Sequence, residues 1–176
     1  MADENDVLTD LNADPAAGAN GADNRPTVGI LNQYVKDLSV ENPNAPAAYQ
    51  WQEQPRVDVQ LNIASNKVTD EITEVELKIT VRADTDQGAQ YIVELAYCGL
   101  VGIRNVPEEH AHAFMFAEAP RLLFPFARAI ISDAVRDLGY APMMLEPMDF
   151  AGLYQQQLQA RAAQQGEGAP APTGNA

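Results

Sequence analysis

Two stretches of the chain alternate strictly between apolar and polar side chains, and this pattern constrains the fold more than any other feature. Residues 57–63 (VDVQLNI) carry an apolar side chain at every second position, and residues 75–81 (VELKITV) do the same. A period of two places all the apolar side chains of a strand on one face, which is typical of half-buried antiparallel sheets. The pattern therefore predicts antiparallel strands with one face against a core.

Two further stretches extend the predicted sheet to four strands. The first is a long β-leaning run over residues 27–41, whose larger side chains share one parity: Ile30, Tyr34, Leu38 and Val40. It ends at the two prolines of residues 43–46, which cannot continue a ladder of hydrogen bonds. The last strand, residues 91–103, is apolar at both parities except for Glu94. We expect such a strand to be covered on both faces or to contact another subunit.

Helical patterns follow the strands. A short helix is predicted over residues 108–119, and a longer one over 121–138, which Pro125 either kinks or divides and Gly139 caps. The longer helix is apolar nearly all round, which indicates burial between layers. A last helix is predicted over 147–161. Strands followed by helices predict an α+β fold, with a four-stranded antiparallel sheet followed by helices.

The charge distribution divides the chain into a folded part and two tails. The chain has 25 acidic and 11 basic residues, a net charge of −14. Residues 1–26 are acidic, and both they and residues 161–176 are rich in Ala, Gly, Asn and Pro. Such segments cannot bury enough apolar surface to offset the entropy of ordering. We predict disordered tails around a single domain over 27–160, and no binding of nucleic acid, whose phosphates an acidic surface repels.

Several features indicate a soluble protein of a reducing compartment. The N-terminus (MADENDVLTD) has neither the basic nor the apolar region of a signal peptide. The longest apolar stretch, residues 91–103, is too short to span a bilayer, so we expect no direct membrane insertion. A single cysteine, Cys98, cannot form an internal disulfide, as is usual in a reducing compartment.

Few residues indicate catalysis. His110 and His112 could bind a metal, but positions i and i+2 diverge on a helix. Cys98 lies in an apolar strand, where a packing role is more common than a nucleophilic one. Glu74 and Glu76 of the third strand are expected on a solvated face. We predict no enzymatic activity, no metal and no cofactor, and keep a small metal- or ligand-dependent α+β enzyme as the alternative.

Three segments together resemble the SecB family of bacterial protein-export chaperones. They are YVKDLSVENPNAP at 34–46, LLFPFAR at 122–128 and LEPMDFAGLYQQQL at 145–158. The resemblance extends with the same order of elements over residues 31–158. It implies a cytoplasmic homotetramer, a dimer of dimers, with helices sandwiched between four-stranded sheets.

The resemblance also implies a function and partners. SecB-like chaperones bind unfolded precursor proteins without ATP, keep them competent for translocation and deliver them to SecA. A SecB-like protein could instead serve a toxin–antitoxin system, and this sequence does not separate the two roles. The resemblance assigns SecA binding to Asp37, Glu41, Ile92 and Glu94. It places a second set of residues near the contact between dimers: Val93, Leu95 and Tyr97.

A groove for unfolded clients is predicted from the residues themselves. The loop over 42–56 is long and carries Tyr49 and Trp51, which either fill the core or serve recognition. Adaptable methionines precede the last helix, and apolar side chains line one of its faces. The predicted groove residues are Tyr49, Trp51, Met143, Met144, Leu145, Phe150, Leu153 and Tyr154. The family has its client groove in the same region.

Overall fold

The structure is a computed structural model that describes residues 24–167. Residues 1–23 and 168–176 lie outside the described part, so the two disordered tails stay a prediction. The first strand begins at Thr27, where the predicted domain begins. The last helix continues to Glu167, beyond the predicted domain end at residue 160.

Four antiparallel strands form one sheet, as the alternation predicts. Their bounds are β1 Thr27–Glu41, β2 Arg56–Lys67, β3 Ile72–Thr85 and β4 Gly88–Arg104. The order across the sheet is β1-β4-β3-β2, and every neighbouring pair is antiparallel. The strands β1 and β2 are therefore the two edges, and β4 lies inside the sheet.

Three helices follow, with bounds α1 Glu108–Ala113, α2 Ala119–Asp137 and α3 Phe150–Glu167. A π-helical turn, Phe114–Glu118, joins α1 directly to α2. The π-helical turn lies inside the helix predicted over 108–119, and α2 begins at Ala119, so the chain shows no break between two helices at residue 120. The turn ends two residues before Pro120, a residue without a backbone donor. Pro125 lies inside α2, which continues past it without a break. None of the helices within residues 24–167 is long and apolar enough to cross a membrane.

Gly139 ends α2 as predicted. Its φ of +89° is in the left-handed region that favours glycine. The Gly139 amide donates to the carbonyl of Arg136 at 2.9 Å, and the Tyr140 amide donates to that of Val135 at 3.3 Å. These bonds satisfy carbonyls at the end of the helix.

The core lies between α2 and one face of the sheet, called here the helix side. Inward residues of β3 and β4 pack against Leu123, Ile131 and Val135 of α2, and none of these side chains has exposed surface. The strand residues are Val75, Leu77, Ile79, Val81, Val93 and Leu95. The helix approaches the sheet most closely at Gly99, where an added Cβ would lie 3.0 Å from Leu123 Cδ2. A larger residue at position 99 would therefore push α2 away from the sheet.

The strand β4 is also covered on the opposite face of the sheet, called here the outer face. Ala96 and Cys98 point to the outer face and are buried. Tyr34 and Lys36 of β1 extend over them to reach β3. Side chains of the same chain therefore cover β4 on both faces, which is one of the two alternatives that its sequence predicts.

The first strand contains two bulges, which the shared parity of its larger side chains does not reveal. Its register against β4 shifts by one residue between Ile30 and Asn32, and again between Val35 and Asp37. Tyr34 pairs with Cys98 on the outer face, whereas Leu38 pairs with Leu95 on the helix side. Tyr34 thus lies on the face opposite to Leu38, although both have even numbers.

Candidate functional site

An apolar hollow of about 390 Å³ lies between β2 and the segment that precedes α3. Val57, Val59 and Leu61 of β2 line one side, and residues 143–148 line the other. Because β2 is an edge strand, its helix-side residues have a strand neighbour on one side only, and Val57 remains 45% exposed. The hollow is thus open to solvent along the sheet edge.

A second hollow of about 260 Å³ adjoins the first at Leu61. It lies between β2 and α3, and its lining includes Ile63, Phe116, Leu153 and Tyr154. Together the two hollows, called here the groove, follow residues 57–63 of the edge strand. At ~3.3 Å per residue this length is about 20 Å, which suits an extended segment of about six residues.

Methionines give the groove an adaptable wall. Met143, Met144 and Met148 line the first hollow, and Met144 is 62% exposed. An unbranched, polarisable side chain can fit differently shaped apolar groups at little cost. The groove can therefore accept many apolar sequences by burying their side chains.

Five of the eight predicted groove residues line the groove: Met143, Met144, Leu145, Leu153 and Tyr154. Phe150 does not, because it is only 2% exposed and packs edge-on against Phe124 with ring centroids 5.5 Å apart. Phe150 instead anchors α3 to the core. The sequence predicts Phe150 and Leu153 on one face of the last helix, but only Phe150 is buried in the core.

Tyr49 and Trp51 also lie away from the groove. The Tyr49 hydroxyl donates to the carbonyl of Leu138 at 2.8 Å, and its ring lies 5.4 Å from that of Tyr140. Trp51 lies near Gly88, where an added Cβ would be 3.7 Å from its ring. The loop aromatics therefore fasten loop 42–56 to the end of α2 and to the β3–β4 turn.

The prediction missed the strand side of the groove, above all Val57, Val59 and Leu61. Their alternation predicts side chains that face a core, like those of β3. The apolar residues of β2 differ from those of β3 because β2 lies at the edge of the sheet, and this position cannot be predicted from the alternation. Met148 could have been found, because it follows Met143 and Met144 within the same short segment.

The position of α3 depends on a second contact beyond Phe150. The Tyr154 hydroxyl lies 2.8 Å from Nδ1 of His112 on α1, and the two rings are 5.5 Å apart. The His112 ring also packs against Phe116, with centroids at 4.6 Å. His112 thus links α3 to the helical segment across the second hollow, which is a packing role rather than the metal role considered from the sequence.

The outer face carries the acidic residues predicted to bind SecA. Pairing places Glu41 opposite Ile92, and Ser39 opposite Glu94, so that these side chains share the outer face with Asp37. Two basic residues lie on the same face, since Arg82 pairs with Ile92 and Lys78 with Ala96. The structure therefore brings the four predicted residues together on one face, in a patch of mixed charge.

A cluster of polar side chains holds β1 to β3 on this face. Lys36 Nζ lies 2.6 Å from Glu74 Oε1 and 3.2 Å from Glu76 Oε2, and the Tyr34 hydroxyl donates to the other oxygen of Glu74. The hydrogen bond from Lys36 holds the pKa of the Glu74 carboxyl below its usual range. The bond to Glu74 and burial raise the pKa of Tyr34 to about 12.

The prediction of a solvated Glu74 is wrong, since the residue is only 9% exposed. Alternation placed it correctly on the outer face, but the side chains of Tyr34 and Lys36 cover it there. Glu74, Glu76 and Cys98 bring potential ligand atoms within 4.8 Å of one another, and the Lys36 ammonium already forms ion pairs with both carboxylates. Burial raises the pKa of the Cys98 thiol to about 11, the opposite of an activated nucleophile.

Val93, Leu95 and Tyr97 do not reach the surface of the chain. Val93 and Leu95 have no exposed surface, and Tyr97 lies under α2 with its ring stacked 6.5 Å from that of Phe126. Phe126 itself is 50% exposed. The predicted interface residues therefore support α2 from below, and a direct contact with a second chain would fall to residues such as Phe126.

Comparison with known proteins identifies the family. The family model described as "Preprotein translocase subunit SecB" matches residues 21–161. A protein-export protein SecB of Erythrobacter litoralis is 66% identical over the whole length of both chains. A second, from Novosphingobium aromaticivorans, is 58% identical over 97% of this chain and 98% of its own.

A solved structure shows the same fold. It is a SecB-like chaperone of Mycobacterium tuberculosis in complex with a peptide from an antitoxin, with a TM-score of 0.57. The match covers 69% of this chain and 90% of the other at 16% sequence identity. At that identity the likeness concerns the fold alone.

Proposed function

The chain belongs to the SecB family of protein-export chaperones, and we propose that it holds unfolded precursor proteins in the groove and delivers them to SecA. It is a chaperone for protein export and not an enzyme. In our proposal, it binds its clients in the cytoplasm, without ATP, and keeps them competent for translocation. The observation that carries the proposal is the open groove along β2, lined by exposed valines and methionines.

The groove suits an unfolded client because it offers burial rather than specific hydrogen bonds. Its first hollow is lined by nine apolar residues and one acidic residue, Glu146. Each apolar side chain of a client that enters contributes about 1–3 kcal/mol of transfer free energy at most. A long client that places several side chains in such grooves gains affinity without any chemical step, which is consistent with a chaperone that needs no nucleotide.

We also propose that the chain assembles as a dimer of dimers. The edge strand β1 and the exposed side of α2 carry apolar side chains that nothing in the described chain covers, and Leu38, Val40, Ile130 and Leu138 line a hollow of about 410 Å³ between them. Edge strands with exposed apolar side chains tend to pair with another chain. Phe126, above Tyr97, extends this surface along α2. Pairing through β1 would leave the β2 groove of each subunit free.

Docking of SecA is proposed for the outer face. Asp37, Glu41 and Glu94 give that face carboxylates around Ile92. Such an arrangement would attract a basic tail through charge and contact it through an apolar side chain, with an affinity that falls as salt rises. The groove opens on the helix side, so a client and SecA would bind different faces of the sheet.

A role in a toxin–antitoxin system has one observation in its favour, since the solved SecB-like chaperone of similar fold holds an antitoxin peptide. Its identity of 16% contrasts with the 66% and 58% of the relatives named as protein-export proteins. We therefore favour general export.

The test of the proposed function is suppression of aggregation of a refolding, export-type precursor by the purified protein without nucleotide. The variant Val57→Thr, Val59→Thr, Met144→Ser should bind that client about ten- to a hundredfold more weakly, since three exposed apolar contacts are lost. Threonine keeps the β-branched shape that suits a strand.

The matched control is Val68→Thr, which removes an exposed apolar side chain outside both hollows and outside β1. It should retain the affinity of the parent. Light scattering checks that all variants have the parent's mass. A groove variant that keeps this mass and binds client as tightly as the parent would show that clients bind elsewhere.

A further inference from the structure

The bulge at Lys36 decides which face of the sheet receives the acidic residues of β1. Val35 pairs with Tyr97 and Asp37 pairs with Ala96, so Lys36 is an extra residue with no Cα partner on β4. Both Lys36 and Asp37 consequently point to the outer face. Two outward residues in a row are possible only because the ladder is interrupted there.

Without the bulge, with Lys36 paired regularly on β4, the acidic side chains would point to the other face. If the pairing of Val35 with Tyr97 simply continued, Asp37 would lie opposite Leu95, and Glu41 would lie opposite Tyr91. Leu95 and Tyr91 belong to the core on the helix side. A shift of one residue moves every side chain of a strand to the other face, so this bulge places Asp37 and Glu41 on the outer face.

The side chains around the bulge fix it to the centre of the sheet. From β1, Lys36 reaches across β4 to Glu74 and Glu76 of β3, at 2.6 and 3.2 Å. Tyr34 reaches across in the same way and donates to Glu74. Edge strands slip in register when little specifies it, and here two charge-assisted contacts specify it on either side of Val35.

We propose that Lys36 and Tyr34, acting through Glu74, are positioning residues that hold β1 in the phase that presents Asp37 and Glu41 to SecA. They need not contact SecA themselves. The inference rests on the SecA docking surface of the proposed function. It gives a role to Lys36 and Tyr34, which are not part of that surface.

The decisive test uses Lys36→Met, because two explanations predict opposite signs. Removal of a positive charge makes the outer face more acidic, so charge attraction alone would strengthen the binding of a basic partner. Loss of positioning would weaken it. Lys67→Met is the matched control, since it removes one lysine from an exposed ion pair with Asp70 at 2.8 Å, away from the bulge.

Tyr34→Phe provides a second variant without any change in charge. It removes one hydrogen bond to a carboxylate and keeps the ring over the sheet. We expect Lys36→Met and Tyr34→Phe each to bind purified SecA about three- to tenfold more weakly than the parent in calorimetry. Hydrogen exchange at the amides of residues 37–41 should be faster, while client affinity and tetramer mass stay unchanged.

The outcomes separate the inference from the function on which it rests. A parent protein that does not bind SecA overturns the docking proposal and this inference with it. A parent that binds SecA, with equal or tighter binding by both variants, overturns the inference alone. If Lys36→Met loses its assembly, Tyr34→Phe decides, and loss of assembly in both variants would mean that the cluster serves the interface between subunits rather than docking.

Discussion

The two faces of the sheet use the same four strands for different purposes. On the helix side, alternate residues of β3 and β4 are fully buried beneath α2. On the outer face, the intervening residues of β3 are all polar, whereas those of β4 are apolar except for Glu94, and α2 covers neither set. Neighbouring residues of a strand, such as Glu94 and Leu95, therefore have different environments although they are adjacent in the chain.

The difference shows why the two candidate surfaces lie where they do. An apolar face needs a cover, and α2 covers the middle of the sheet but not the β2 edge, so the uncovered remainder is the open groove that we propose for clients. A polar face needs no cover, so its charges can serve recognition. The polar face does require that the charged residues of each strand point towards it, and the bulge at Lys36 sets this direction in β1.

The largest effect expected from this comparison is on stability. Leu95→Ala should lower the free energy of unfolding by about 2–5 kcal/mol, because it leaves a cavity under α2. The next residue towards the N-terminus, on the opposite face, is the control: Glu94→Ala should change stability by about 0.5 kcal/mol or less. Urea unfolding at one fixed protein concentration measures both.

Equal losses in the two variants would contradict the division of the sheet into a packed face and a recognition face. Dissociation of the proposed tetramer would contribute to unfolding, so the two variants are compared at the same subunit concentration. Leu95 lies beneath α2, whose exposed side is proposed to contact another subunit. A lowered assembly mass of Leu95→Ala alone would therefore be consistent with the proposed interface.

The sequence was sufficient to predict the faces of the inner strands but not the edges of the sheet. Residues 57–63 and 75–81 show the same alternation, yet Val75, Leu77, Ile79 and Val81 are fully buried while Val57 is 45% exposed. Alternation specifies which residues share a face, whereas burial also depends on which strands become neighbours. The order β1-β4-β3-β2 is a long-range property that no local pattern contains.

The bulges of β1 were equally invisible to pattern analysis. Ile30, Tyr34 and Leu38 have one parity, but two one-residue shifts place Tyr34 on the outer face and return Leu38 to the helix side. Asp37 and Glu41 were nevertheless assigned correctly to one shared face, because both follow the second bulge. The partners that fix this bulge, Glu74 and Glu76, are on β3 and could only be found in three dimensions.

A smaller effect, confined to the outer face, is expected from charge reversal. Asp37→Lys with Glu41→Lys should weaken SecA binding about tenfold or more at low salt, because two attractive charges become repulsive. The affinity for an unfolded client should not change, since the groove opens on the other face. Calorimetry with SecA at two salt concentrations measures the effect.

Two outcomes would contradict the binding of SecA and client to separate faces of the sheet. Unchanged SecA affinity would remove Asp37 and Glu41 from the docking surface. A parallel loss of client affinity, with the assembly mass intact, would show that the two faces are not independent.

The smallest effect is expected at the groove, where one hydrogen bond holds α3 beside β2. Tyr154→Phe keeps the ring that lines the second hollow and removes only the hydroxyl that lies 2.8 Å from Nδ1 of His112. A single hydrogen bond contributes about 0.5–1.5 kcal/mol net to stability. Without it, α3 should detach from α1 more often, and clients should dissociate from the groove about two- to fivefold faster. His112→Phe should have a similar effect because it removes the other partner of the same bond.

The double variant makes this prediction specific. If the bond between Tyr154 and His112 links α3 to α1, the loss in the double variant should be little greater than that in either single variant. Stopped-flow dissociation of a labelled client measures all three, and SecA affinity on the outer face should stay at the parent's value. Additive losses in the double variant would mean that Tyr154 and His112 act separately, and α3 would then depend on Phe150, with its ring 5.5 Å from that of Phe124, as its anchor beside the groove.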